Sequence, residues 1–285
     1  KRISEFLFNQ LNNSELLILN FDAEQTDFIR FNKGKIRQAG NVHQINLIIN
    51  LIFKHKTLRT SIRLSTDFER DSKPLINILN FLRREIVELP QDPYLMYEKH
   101  QNSTNKTMQN NIDTHLITDI IIDKFKSLDM VGVLSSGNII KGFSNSLGQK
   151  NWHESTSFNF DWSVYSKNGK AVKQNYSDQK WDQNIFNRLF LECIQKLNVI
   201  DYKEQKITPG EYKAYLSPSA LNEIIDMMSW GGFSYKANKI GSSPLHLMSK
   251  GEKELNKIVS FSENLTNGIS PTFHSDGFIK PEKTN

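Results

Sequence analysis

The order in which strand-like and helix-like segments follow one another predicts an α+β fold, with antiparallel sheets and packed helices in two lobes of similar size. Three observations carry that expectation. Runs rich in Ile, Leu and Thr come in blocks punctuated by glycine turns, and apolar stripes at helical spacing are bracketed by caps and prolines. The order is strands, helix, strands, helix, not the strict alternation that gives a parallel sheet. The lobes are expected at residues 1–97 and 112–285, with residues 98–111, almost free of apolar side chains, as a surface linker.

The first lobe opens on a hairpin at residues 27–38, turning at Asn32-Lys33-Gly34, where glycine takes the positive φ of a tight turn. Residues 42–54 and 57–64 continue the sheet, with His55-Lys56 as their turn. Thr66 and Glu69 have the spacing of a capping box, in which hydroxyl and carboxylate each accept an otherwise orphaned amide. Leu75, Ile76, Leu79, Leu82 and Ile86 then form the buried stripe of a helix, stopped by Leu89-Pro-Gln-Asp-Pro93.

In the second lobe a helix is expected at residues 113–127, with Leu116, Ile117, Ile120, Ile121 and Phe125 on one face. Strands at 130–135, 139–144 and 158–166 follow, separated by turns at Gly137, Gly148 and Gly169. A long helix at 181–197 carries the stripe Ile185, Phe186, Leu189, Phe190, Cys193 and Leu197. After Pro209-Gly210 comes a strand at 211–216. Ser217 and Pro218 then supply the cap and first residue of a helix with core face Leu221, Ile224, Ile225 and Met228, ended by Gly231-Gly232. The last fifty residues or so lose periodicity.

Composition narrows the function classes. With 38% hydrophobic and 24% charged residues, the 285-residue chain has enough apolar surface for a core. Its single cysteine, Cys193, rules out an intrachain disulfide and fits a reducing, cytoplasmic setting; no signal peptide is visible at the first residues. No apolar run approaches the ~18–20 residues of a membrane-spanning helix. The net charge of +5 invites a nucleic-acid partner, but the charge is spread out. The densest cluster, Arg30, Lys33, Lys35 and Arg37, alternates with Phe31 and Ile36 like the outer face of strands, so nucleic acid is disfavoured.

The residues that could carry chemistry are sparse. His153-Glu154 is the one His-Glu pair and lacks a further ligand at one-turn spacing, so it reads as strand residues; a hydrolase built on this pair and an unseen ligand is the least favoured reading. Cys193 sits on an apolar helical stripe and reads as core. Gly132 to Gly137 lacks the Lys and Ser/Thr of a phosphate loop. Trp152, His153, Phe160 and Trp162 lie among polar residues along a predicted sheet, which makes them weak candidates for holding an extended peptide.

Several segments together resemble the TldD/PmbA family, the metalloprotease-related proteins also called modulators of DNA gyrase. They are the 28–38 hairpin, Leu89-Pro-Gln-Asp-Pro-Tyr94, Gly142-Phe-Ser-Asn-Ser-Leu-Gly148 with Trp152-His-Glu-Ser-Thr156, Tyr215-Leu-Ser-Pro218 leading to Trp230-Gly-Gly-Phe233, Gly241-Ser-Ser, and Ser270-Pro-Thr-Phe-His-Ser-Asp-Gly277. The resemblance implies that catalytic TldD-type members carry His-Glu-x-x-x-His on the helix matching residues 218–230, two imidazoles binding zinc and the glutamate activating water. Here the matching positions are Asn222, Glu223 and Met227. An amide and a thioether are poor zinc ligands, so the resemblance points to the PmbA (TldE) branch. It then implies no catalytic residue, metal site or cofactor in this chain, with zinc in a TldD-type partner, and a role in processing unfolded or extended peptides within a heterodimer or homodimer. The other reading is a peptide- or nucleic-acid-binding module without protease association. Family members continue into a further β-rich C-terminal part, which the resemblance implies is missing beyond residue 277.

Overall fold

The structure, a computed structural model, describes residues 1–107, 112–266 and 268–284. Its largest element is one seven-stranded sheet in the order β3-β2-β1-β5-β6-β4, with β7 also paired to β6. β1 (Glu15–Asn32) and β2 (Lys35–Phe53) form a long antiparallel hairpin, and β3 (Lys56–Arg63) extends it. On the other side of β1 lies β5 (Asp129–Asn145), followed by β6 (Lys150–Tyr165). The far edge of β6 is shared: β4 (Ser103–Thr107) runs parallel to residues 151–155, and β7 (Ala171–Asp178) antiparallel to residues 158–165.

Helices cover one face of this sheet at its two ends. At one end α1 (Arg2–Phe8) and α2 (Phe68–Glu85) pack Leu7, Leu75, Leu79 and Leu82 onto Leu17, Leu19, Leu47 and Ile49. At the other, α3 (Thr114–Phe125) and α4 (Gln183–Ile200) pack Ile121, Phe125, Phe186 and Cys193 onto Phe31, Leu134, Phe160 and Trp162. The odd-numbered residues of β1 serve both cores, since successive side chains of a strand alternate faces; Gln25 and Asp27, exposed, separate them. A smaller cluster, Ile18, Ile52, Phe143 and Phe273, lies on the opposite face.

The expected lobes are therefore two cores on one sheet. The chain divides instead into a unit formed by Lys1–Lys203 with Asn264–Glu282 and a second formed by Glu204–Glu263 with Lys283 and Thr284. Residues 98–111 do not separate lobes: 103–107 form β4, whose Ser, Thr and Asn side chains hide it from a search for apolar runs, and 108–111 lie outside the described residues.

Other expectations shift in instructive ways. The hairpin turn at Lys33-Gly34 stands, Gly34 having φ +66°, but the next turn is Lys54-His55, both residues at positive φ. The helix after it begins one residue later than a capping box requires: Asp67 is the N-cap, its carboxylate accepting from the Glu69 and Arg70 amides, while Thr66 has φ +73°. Gly137 is no turn. It lies in mid-β5, where a Cβ would stand 2.1 Å from the Gln25 carbonyl oxygen, so glycine there permits strand contact. Leu116 faces solvent and Thr118 takes its place on the buried side of α3. Residues 211–216 form no strand.

In the second unit, α5 (Pro218–Ser229) starts as expected, Ser217 Oγ accepting from the Ala220 amide. None of its residues is buried, so Leu221, Ile224, Ile225 and Met228 do not face a core here. α6 (Tyr235–Lys239) and α7 (His246–Ser249) are short. Asn238 Nδ2 and Ser243 Oγ both donate to the Gly232 carbonyl, at 2.8 and 2.9 Å, which ties Trp230-Gly-Gly-Phe233 to Gly241-Ser-Ser.

Candidate functional site

β6 is the strand on which the sequence placed its peptide-binding candidates, and its alternation distributes them differently. Phe160 and Trp162 point under the helices, 0% and 1% exposed, stacked at 4.6 Å with the Phe125 and Phe186 rings against them; both belong to the core and neither can meet a ligand. Trp152 points to the same face but beyond the cover of α3 and α4, where its indole stacks on Phe21 at 5.7 Å. His153 points to the opposite face and is 1% exposed. Glu154, one residue on, returns to the Trp152 side, so His153 and Glu154 cannot act on one bound group.

His153 is a structural imidazole. Its Nε2 lies 2.8 Å from the Ile269 carbonyl, which can only accept, so Nε2 carries the proton. Burial holds the group below its ordinary value near 6.5, against the opposing effect of the Ile269 bond, and Nδ1 has no partner among the described residues. Around it buried amides pin two irregular segments onto the sheet. Asn145 Nδ2 donates to the Glu98 carbonyl at 2.9 Å, Asn151 Nδ2 to Gln101 at 2.6 Å, and Gln149 Nε2 to Gly277 at 2.6 Å. Gly277 has φ +90°, and a Cβ there would stand 2.6 Å from the Phe143 ring. Segments scattered in sequence, 145–153 and 269–277, thus meet through backbone carbonyls, which no side-chain motif advertises.

Across the strands from Trp152 the register builds a continuous row on the helix side: Leu47, Phe21, Gly142, Trp152 and Thr104. This row floors a cavity of about 970 Å³ roofed by the start of α1 and the first turn of α2. Sequence reasoning found Trp152 but not Phe21, Gly142, Lys106 or Lys150, because a row across five strands becomes visible only once the register is known.

Asn222, Glu223 and Met227 lie exposed on α5, with Asn222 Nδ2 donating to Asp226 Oδ2 at 3.0 Å. The donor set is an amide, one carboxylate and a thioether, which does not fit a hydrolytic zinc. Among the described residues no group of three or more His, Cys, Asp or Glu side chains is placed to hold a metal ion. Cys193 is fully buried, and burial pushes its thiol up, away from the reactive thiolate. Arg30, Arg37 and Lys173, with Asp161 between them, line a shallow concavity of about 500 Å³. Among the described residues no helix is long and apolar enough to cross a membrane.

A large antiparallel sheet with helices on one face and irregular segments pinned to the other defines an α+β protein of the TldE and gyrase-modulator fold. The solved structures that share it include TldE from Thermococcus kodakarensis, at 11% identity and TM-score 0.66, covering 99% of this chain and 65% of that one. A candidate modulator of a DNA gyrase from Thermotoga maritima matches at 12% identity and TM-score 0.60, over 85% of this chain and 58% of that one. A candidate modulator of DNA gyrase from Bacteroides thetaiotaomicron matches at 12% identity and TM-score 0.62, over 98% of this chain and 67% of that one. The chain thus spans about three fifths to two thirds of these structures' length. No protein-family model and no curated protein matches the sequence. The fold is the one the segment resemblance implied.

Proposed function

We propose that this chain is a PmbA/TldE-like, non-catalytic subunit of a TldD/PmbA-type metalloprotease complex in the cytoplasm, acting in the processing of extended or unfolded peptides. The observation that carries the reading is the chemistry of α5: Asn222 and Met227 stand where a zinc hydrolase of this kind needs imidazoles. Zinc and the water-activating carboxylate then belong to a TldD-type partner or, in a homodimer, to no subunit. Likeness of fold to TldE supports the same assignment. An extended peptide would add to a sheet edge by backbone hydrogen bonds. β3 is one end strand, and β4 and β7 share the other end. Mixing the purified chain with a TldD-type partner and an unfolded peptide tests this. Hydrolysis only in the mixture is expected; hydrolysis by the chain alone, abolished by a chelator, overturns it.

A second reading, a binding module for an anionic partner, rests on Arg30, Arg37 and Lys173 around one concavity. Phosphate contacts must weaken steeply with salt. Absence of DNA binding at low salt removes the nucleic-acid form of this reading.

A further inference from the structure

We infer that the cavity beneath α1 and the first turn of α2 is a binding site for an amphiphilic carboxylate, an apolar chain with one anionic head. The inference stands independently of the protease assignment. The cavity, about 970 Å³, lies at the upper end of the range in which proteins hold small ligands. Its wall on the β2–β1 side is apolar, with Leu47, Ile45, Leu19 and Phe21, and α2 adds Phe68. Gly142 makes the floor flat: a Cβ there would lie 3.2 Å from two indole carbons of Trp152 and 3.3 Å from the Phe21 Cβ, so the missing side chain lets the rings close over the strand.

The opposite wall is cationic. Lys150 and Lys106 border the cavity on the β6–β4 side. Lys106 reaches Glu154 only at 3.6 Å, and Lys150 has no ion-pair partner among the described residues. The two carboxylates that also line the space are committed elsewhere. Asp67 accepts from the Glu69 and Arg70 amides, and Asp71 accepts from the Ser65 amide and hydroxyl, at 3.0 and 2.8 Å. Arg2 is likewise engaged, with Glu69 at 3.0 Å and over the Phe68 ring. An apolar wall facing the unpaired Lys150 ammonium, with the Lys106 ammonium shared with Glu154 beside it, recognises a molecule that is apolar at one end and anionic at the other. A neutral apolar molecule would leave the lysines unused, and a cationic one would oppose them.

Calorimetric titration of the 285-residue chain with dodecanoate, kept below its micelle concentration, tests the inference. Saturable one-to-one binding is expected, weakened about tenfold or more in the Lys106→Ala/Lys150→Ala double variant and with dodecanol or dodecyltrimethylammonium in place of the acid. Thr104→Trp, which places an indole in the space, should abolish it. Thr104, Lys106 and Lys150 are all exposed, so these variants keep the fold, and an unchanged melting curve confirms that loss of binding is local. No saturable binding, equal affinity for the acid and the alcohol, or undiminished binding by Thr104→Trp would each overturn the site.

Discussion

Gly142 and Trp152 sit directly opposite one another on β5 and β6, and a Cβ at 142 would press on the indole at 3.2 Å. The stack of Trp152 on Phe21 depends on the absence of that Cβ. Gly142→Val should therefore displace the indole and destabilise the chain by about 1–3 kcal/mol, the usual penalty of overpacking. Urea denaturation measures the loss, and near-UV circular dichroism reports the altered indole environment. An unchanged midpoint would show that the ring yields freely.

Cavity tryptophan and core tryptophan are separable by truncation. Trp162, 1% exposed among three aromatic neighbours at most 6.2 Å away, should lose about 3–5 kcal/mol on replacement by alanine. Trp152→Ala, at the edge of an open cavity, should lose clearly less. Equal losses would mean that Trp152 is packed as a core residue.

Thr66 and Asp67 distinguish two accounts of how α2 begins. With Asp67 as N-cap, Asp67→Ala should cost about 0.5–2 kcal/mol. Thr66 holds φ +73°, where a β-branched residue is strained, so Thr66→Gly should be neutral or stabilising. Thermal melts of the two variants settle the order; the capping-box pattern would make Thr66→Gly the damaging one.

The stability of the chain should depend on His153 in a defined direction. Burial keeps the folded imidazole below its ordinary value near 6.5, so just under that pH the unfolded chain takes up a proton that the folded chain does not. Stability from this group is full above ~6.5 and falls as pH drops toward the folded value. The denaturation midpoint should fall between about pH 7.5 and about pH 5.5, and fall less in His153→Asn. The same fall in both proteins would assign the effect to other groups.

Local chemistry was legible in the sequence where a residue's own backbone or its near neighbours decide the structure. Gly34 marks a true turn, Ser217-Pro218 caps a helix, and the Phe186 and Cys193 stripe is buried as spaced. The illegible parts are decided by partners far along the chain. Gly137 resembles a turn glycine until Gln25 is found against it, and β4 is a strand only because β6 supplies its hydrogen bonds. For the candidate site the same division holds. Trp152 stood out as an aromatic residue in a polar stretch, whereas Phe160 and Trp162 shared that pattern and are core, because alternation fixes the face but not which face is covered. The α5 positions Asn222, Glu223 and Met227 were readable by type, which is all the proposed role requires.

Zinc content of the purified chain tests that role most directly, with elemental analysis before and after incubation with zinc and dialysis. The isolated chain is expected to hold no stoichiometric zinc, and the Asn222→His/Met227→His double variant to gain affinity, since two imidazoles would then accompany Glu223. One firmly bound zinc per unaltered chain would contradict the account.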